Sequence, residues 1–203
     1  MRPAVLPRLL PASGYRRMRW KNGGGETTEI LIEPPAATLD GFDWRLSMAR
    51  VESAGPFSIF AGVDRSLVLL EGEGLRFHPV GHGETILDRQ TPPIEFPADV
   101  AVEAAPIGGP VLDFNVMSRR SRCRHHLWRV ELASRSTLTP CGATTVATVW
   151  GGGAAFRGQD WQVATEAGDS LHWEGPASVP IEVEPTAPLT LLVVEFSPVQ
   201  PPG

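Results

Sequence analysis

Residues 44–51 alternate apolar and polar positions with a period of two. Trp44, Leu46 and Met48 fall on one face, with Arg45, Ser47 and Ala49 on the other, the pattern of a β-strand. Residues 111–117 repeat it and put Asp113, Asn115 and Met117 together. The runs 29–33, 66–71, 75–78, 94–96 and 100–103 are shorter and rich in apolar residues, and they also predict strands. Pro34-Pro35 closes the first of them, and Gly72-Glu73-Gly74 turns 66–71 into 75–78 as a hairpin. Further along, 144–150, 161–165, 170–173, 177–182 and 189–196 read the same way, separated by Gly151-Gly152-Gly153, Gly158, Gly168-Asp169 and Gly175-Pro176. No helical period is sustained; a turn near 119–124 is the nearest approach. About ten to twelve short strands at roughly 8–12-residue spacing predict an all-β sandwich or barrel.

Composition narrows this further. Among 203 residues there are 21 glycines and 20 prolines, too many breakers for a helical bundle. Hydrophobic residues at 42%, charged residues at only 20%, six Trp and eight Phe exclude a disordered chain. The net charge of −5 and a single lysine, Lys21, argue against nucleic acid. Arg119, Arg120, Arg122, Arg124 and Arg129 form the one basic run, and such runs are usually solvated surface. Two cysteines, Cys123 and Cys141, make neither a disulfide framework nor a zinc motif. Pro3, Pro7, Arg8 and Pro11 interrupt the N-terminal apolar residues, and no stretch is long enough to span a membrane. A cytoplasmic protein is expected, with no membrane or nucleic-acid partner.

The chemistry concentrates in the first 120 residues. In 20–29 (WKNGGGETTE), three glycines after Asn22 permit positive φ and a close approach of backbone to a ligand or another strand. Neither a P-loop nor a dinucleotide fingerprint surrounds them. Arg45 and Ser47 share the polar face of a largely apolar strand, Arg65 opens the most hydrophobic one, and Asp113 and Asn115 stand together in a third. An outward polar face is the ordinary explanation for any one of these. Their strands, however, are apolar enough to be central, and guanidinium forks there suit a carboxylate. His78 and His82, His125 and His126, and His172 form no metal-binding pattern, so neither metal nor cofactor is expected. Cys123, among arginines, would have a lowered pKa if they stayed close, which makes it the one nucleophile of note.

The segments 20–30 (WKNGGGETTEI), 42–75 and 109–120 (GPVLDFNVMSRR) resemble the HutD/Ves family. The family blocks W-x-N-G-G-G-x-T, W-R-[IL]-S-x-A-x-V, G-P-F-S-x-F-x-G-x-x-R, L-x-G-x-G and D-x-N-V-M-x-R-R occur in order across 20–120. The last third matches only in style. The pattern positions are Trp20, Asn22, Gly23, Gly24, Gly25, Thr27, Arg45, Ser47, Phe57, Ser58, Arg65, Asp113, Asn115, Met117, Arg119 and Arg120. The resemblance implies a bicupin, two cupin-type β-barrels in one chain, lacking the usual cupin metal ligands. It also implies a link to histidine utilisation, whose intermediates urocanate and N-formylglutamate are small carboxylates, and a role in restraining pathway output.

The expected domains are 1–120, carrying the motifs, and 121–203, with strands open to exchange between them. The expected function is metal-free binding of a small anionic metabolite by a regulator. Arg45 and Arg65 would hold the carboxylate, and Asn22, Ser47 and Asn115 would orient polar groups. Trp20 and Phe60 would wall the pocket, and Gly23, Gly24, Thr27 and Ser58 would complete it. Asp113 would order Arg45 or accept a ligand N–H. One rival is a metal-independent hydrolase or isomerase pairing Asp113 with His78, His82, His125 or His126. Another is an interaction module using the arginine-rich 119–129 stretch. Monomer and homodimer are both left open.

Overall fold

The computed structural model describes residues 6–81, 83–175 and 180–199. In chain order, β1 (Arg8–Leu10) and a 3-10 turn (Ala12–Gly14) precede β2 (Arg16–Arg19), β3 (Gly25–Glu33), β4 (Trp44–Val51), β5 (Gly55–Pro56) and β6 (Val63–Glu71). Then come β7 (Gly74–Pro79), β8 (Thr85–Leu87), β9 (Ile94–Pro97), β10 (Val102–Ile107) and β11 (Val111–Arg119). β12 (Cys123–Leu132), β13 (Ser136–Leu138), β14 (Thr144–Trp150) and β15 (Ala154–Arg157) follow. β16 (Gln162–Thr165), β17 (Ser170–Glu174), β18 (Ile181–Pro185) and β19 (Leu189–Pro198) complete the described chain. The described residues contain no α-helix, so no helix is long and apolar enough to cross a membrane.

Two compact units divide the chain: residues 15–124, and the described parts of 1–14 and 125–200. The N-terminal residues join the later unit because β1 pairs antiparallel with β17 and Asp169 Oδ1 accepts the Ala12 N–H at 2.8 Å. That differs from a division into 1–120 and 121–203, in which the chain start belongs to the earlier unit. The segment 177–179 of the strand expected over 177–182 lies outside the described residues.

The 15–124 unit has a six-stranded sheet, ordered β2-β3-β4-β11-β6-β9, and a four-stranded sheet, β5-β10-β7-β8. Val51, Leu67 and Leu69 from the first sheet pack with Leu75, Phe77, Leu87, Val102 and Ala104 from the second. Phe77 makes edge-on contacts with Phe57 and Phe96, at centroid separations of 6.2 and 4.9 Å. β4, β11 and β6 lie inside the sheet and are buried on both faces: Leu46, Met48, Phe114, Val116 and Val68 on one, Arg45, Ser47, Arg65, Asp113 and Asn115 on the other. The later unit pairs a five-stranded sheet, β1-β17-β14-β19-β12, with a four-stranded one, β13-β18-β15-β16. Its core includes Val149, Phe156, Leu171, Trp173, Val183, Leu191 and Val193. Each unit therefore buries an apolar interior between two antiparallel sheets, an all-β architecture consistent with the expected pair of cupin-type modules.

Several strands lack a strong sequence signal. β12 is one, because Arg124, His125, His126 and Arg129 interrupt its apolar positions. The 119–124 region holds a tight turn, Arg122 N–H to Arg119 C=O at 2.8 Å, before the chain re-enters a strand.

Candidate functional site

The inward faces of β4, β11 and β6 change character along their length. At one end Val51, Val111 and Leu69 belong to the packed core. Toward the other end the same faces carry Ser47 and Arg45, Asp113 and Asn115, and Arg65. There the 15–124 unit encloses a cavity of about 690 Å³, lined by these residues together with Met18, Arg19, Trp20, Lys21, Asn22, Thr27, Leu39, Ala49, Pro56, Phe57, Ser58, Phe60 and Met117. Such a volume suits a small organic ligand.

Two buried polar arrangements shape the cavity. Arg45 Nε donates to Glu29 Oε2 at 2.7 Å, the side chains being only 6% and 11% exposed. Arg65, 7% exposed, donates from Nε to Asn115 Oδ1 at 2.7 Å and from Nη2 to the same oxygen. Its guanidinium carbon stands 4.4 Å from the Phe57 ring centroid and 5.7 Å from that of Phe96, so aromatic faces fix its plane. Asn115 Nδ2 in turn donates to Asp113 Oδ1. Asp113 is fully buried, and its Oδ2 has no hydrogen-bond partner. Burial pushes the Asp113 carboxyl up to about 7, against the opposing pull of Arg65 and the Asn115 hydrogen bond. Burial likewise draws Arg65 down to about 10, with Asp113 acting in the other direction.

Register irregularities accompany both carboxylates. The β11–β6 ladder shifts between Leu112 and Asp113, and the β3–β4 ladder shifts between Glu29 and Leu31. The extra residue of a bulge inverts the in–out alternation beyond it: Glu29 pairs with Ser47, but Ile32, not Leu31, pairs with Arg45 on the same face.

Trp20, Asn22, Thr27, Arg45, Ser47, Ser58, Phe60, Arg65, Asp113 and Asn115 are thus brought to one cavity, while Gly23 and Gly24 are absent from its lining. The glycine run serves the β2–β3 turn. Gly23 has φ +72°, its N–H bonds the Trp20 carbonyl at 3.1 Å, and Asn22 Oδ1 accepts the Gly24 N–H at 3.0 Å. A Cβ on Gly25 would lie 2.1 Å from the Arg50 carbonyl oxygen, so the third glycine admits the neighbouring strand, not a ligand. Trp20 is fixed by its indole N–H, 2.8 Å from Thr27 Oγ1.

Other expectations are corrected. The carboxylate that orders Arg45 is Glu29, while Asp113 is joined through Asn115 to Arg65. Cys123 is buried with its Sγ 3.4 Å from the Asp43 carbonyl, and burial pushes the thiol up to about 11. The arginines that would have lowered it are committed elsewhere. Arg119 donates to the carbonyls of Phe42 and Asp40, and Arg120 pairs with Asp64 and Asp99. Arg122 lies 3.8 Å from Asp43, and Arg129 2.8 Å from Glu131, both in partly or largely exposed pairs, so much of the basic run is tied up within its own surface. Among the described histidines, none lines the cavity. His82 lies outside the described residues. No group of three or more His, Cys, Asp or Glu among the described residues is placed to hold a metal ion.

Glu29, Phe57, Arg19 and Lys21 were not singled out as ligand residues from sequence, although Lys21 lies within the first motif and Arg19 just before it. Arg19, Lys21, Asn22, Leu39 and Ser58 are exposed and form the cavity's rim. A second, largely apolar cavity of about 340 Å³ is lined by Phe77, Leu87, Ile94, Phe96 and Val100.

Fold and site together define a two-unit, all-β protein with a buried cationic cavity inside its motif-bearing unit. The HutD family model matches residues 12–191, and the chain belongs to that family. A Pseudomonas putida protein described as an uncharacterized 21.2 kDa protein in the hutC 3′ region is 39% identical over 130 residues, 63% of this chain and 66% of that one. Protein Ves of Citrobacter koseri is 40% identical over 121 residues, 59% of this chain and 60% of its own. The matched stretches thus span less than two thirds of these curated relatives. The crystal structure of PA5104, a conserved protein of unknown function from Pseudomonas aeruginosa PAO1, superposes with a TM-score of 0.87 at 31% identity, covering 95% of this chain and 99% of the other.

Proposed function

We propose that the chain is a cytoplasmic binding protein for a small carboxylate metabolite of the urocanate or N-formylglutamate type, and that it regulates histidine utilisation. The observation that carries this is Arg65: a buried guanidinium, planar against Phe57, held by Asn115, in the wall of a cavity large enough for such a molecule. Arg is suited to this role because its fixed fork matches a carboxylate in two parallel hydrogen bonds. Arg19 and Lys21 at the rim add positive potential that attracts an anion toward the opening. The pathway assignment is supported by the family and by the hutC-adjacent relative from Pseudomonas putida.

Calorimetric titration with urocanate, N-formylglutamate and unrelated dicarboxylates tests the reading. Saturable binding that weakens at least tenfold in Arg65→Ala is expected, since a charge-assisted hydrogen bond contributes about 1.5–3 kcal/mol. Absence of binding by every acid, or unaltered binding in the variant, would refute it. The catalytic alternative draws on Asp113, whose carboxyl near neutrality could hold or release a proton. It requires turnover of the same acids, lost in Asp113→Asn.

A further inference from the structure

Asp113 is the anomaly of the cavity. Across the sheet it faces Ala49 on β4 and Leu69 on β6, neither of which offers a side-chain hydrogen bond. Along its own strand Asn115 engages only Oδ1. Oδ2 is left buried and unpartnered in a residue that lines the cavity. A buried acceptor in that condition costs free energy unless something else supplies a donor. The neighbouring Arg65 turns two of its five N–H groups to Asn115, and none of the five reaches Oδ2.

Resting on the carboxylate reading above, we infer that Asp113 Oδ2 is the acceptor for a donor group on the ligand. The cavity then selects acids that carry an N–H or O–H a few bonds from the carboxylate, namely N-acylamino or hydroxy acids, over plain carboxylates of equal size. Arg65 takes the acid group, and Asp113, one side chain away through Asn115, takes the donor. Selectivity arises because a ligand without the donor leaves Oδ2 unpaired, and a site built for a polar group rejects the analogue lacking it.

A proton linkage follows. The charged and titratable groups facing Asp113 are Arg65 on β6 and Arg45 on β4, the latter bound to Glu29 on β3, with Arg19 and Lys21 at the rim. Its own strand adds only uncharged side chains, Asn115 and Met117, to that cavity wall. A ligand N–H directed at Oδ2 favours the ionised carboxyl and expels its proton, whereas a plain carboxylate favours the protonated form.

The test compares N-acetylglycine with 4-oxopentanoate, in which the amide N–H is replaced by CH2, and with N-acetylsarcosine, in which it is methylated. Calorimetry on the full chain at pH 8 is expected to show N-acetylglycine at least about tenfold tighter than either analogue. In Asp113→Asn the gap should shrink to about twofold while 4-oxopentanoate still binds, which also reports that the variant is folded. A wild-type measurement needs no variant: at pH 6.5, titrations in buffers of different ionisation heat should show proton release with N-acetylglycine and none with 4-oxopentanoate. Equal affinities, or a gap that survives in Asp113→Asn, would overturn this inference and leave the carboxylate reading standing. Failure of all three acids to bind would overturn both.

Discussion

Replacing Asp113 by Asn should remove a pH dependence of stability. In the folded chain the carboxyl is pushed from 3.8 up to about 7, a shift of roughly three units. At about 1.4 kcal/mol per unit this amounts to about 4 kcal/mol. Below 3.8 both folded and unfolded states hold the proton, and the group contributes no difference. Between 3.8 and about 7 mainly the folded state holds it, so stability falls as pH rises, and the loss is complete once the pH is well above 7. The cause is local: Ala49 and Leu69 flank Asp113 across the sheet, and no donor reaches Oδ2. Asparagine has the same shape and does not titrate. Urea unfolding of both proteins from pH 5 to 8.5 isolates the effect, because groups elsewhere cancel in the difference. Relative to the variant, the wild type should lose about 2 kcal/mol between pH 5 and 7 and level off by about pH 8. A difference that stays flat over that range, or a wild type that gains on the variant as pH rises, would refute the assignment of burial as the dominant effect.

Three further outcomes are expected. Glu29→Gln leaves the buried Arg45 guanidinium without its counter-charge and should lower unfolding free energy by about 3–5 kcal/mol, much of it restored in the Glu29→Gln/Arg45→Met double variant, as urea midpoints would show. Gly25→Ala should destabilise more than Gly23→Ala in thermal melts. Its Cβ would meet the Arg50 carbonyl at 2.1 Å, whereas at Gly23 only the φ of +72° is unfavourable, at about 1–2 kcal/mol. Cys141 should react with a thiol reagent in the native protein and Cys123 only after unfolding, because the first is exposed and the second is buried with its thiol pushed up to about 11. Glu195 also holds the Cys141 thiol above its usual range, so Glu195→Gln should speed that reaction.

The strands that build the cavity were legible because polar residues interrupt otherwise apolar alternation at 45, 47, 113 and 115. Both faces of those strands are buried, so an inward polar face differs from an ordinary solvated one, and the surrounding Leu46, Met48, Phe114 and Val116 signal it. Glu29 was not legible, because its pairing with Arg45 depends on strand register and on a bulge that no local pattern announces. Cys123 misled for the complementary reason. Counting nearby arginines says nothing of where their forks go: Arg120 turns to Asp64 and Asp99 and Arg119 to backbone carbonyls, while the thiol is buried. The glycine run displayed its conformational freedom plainly, but freedom to admit a ligand and freedom to admit a strand have the same sequence.

The gradient along β4 has a consequence for how such a protein can diversify. Arg45 and Val51 share one face but stand six residues apart, about 20 Å at 3.3 Å per residue. Changes that far apart combine almost additively. An evolving lineage, or an engineer, can therefore rewrite the recognition end at positions 45 and 65 while the anchoring end near Val51 and Val111 is held constant. Positions 47 and 113 occupy the frontier between the two, and there a new specificity should demand compensating changes.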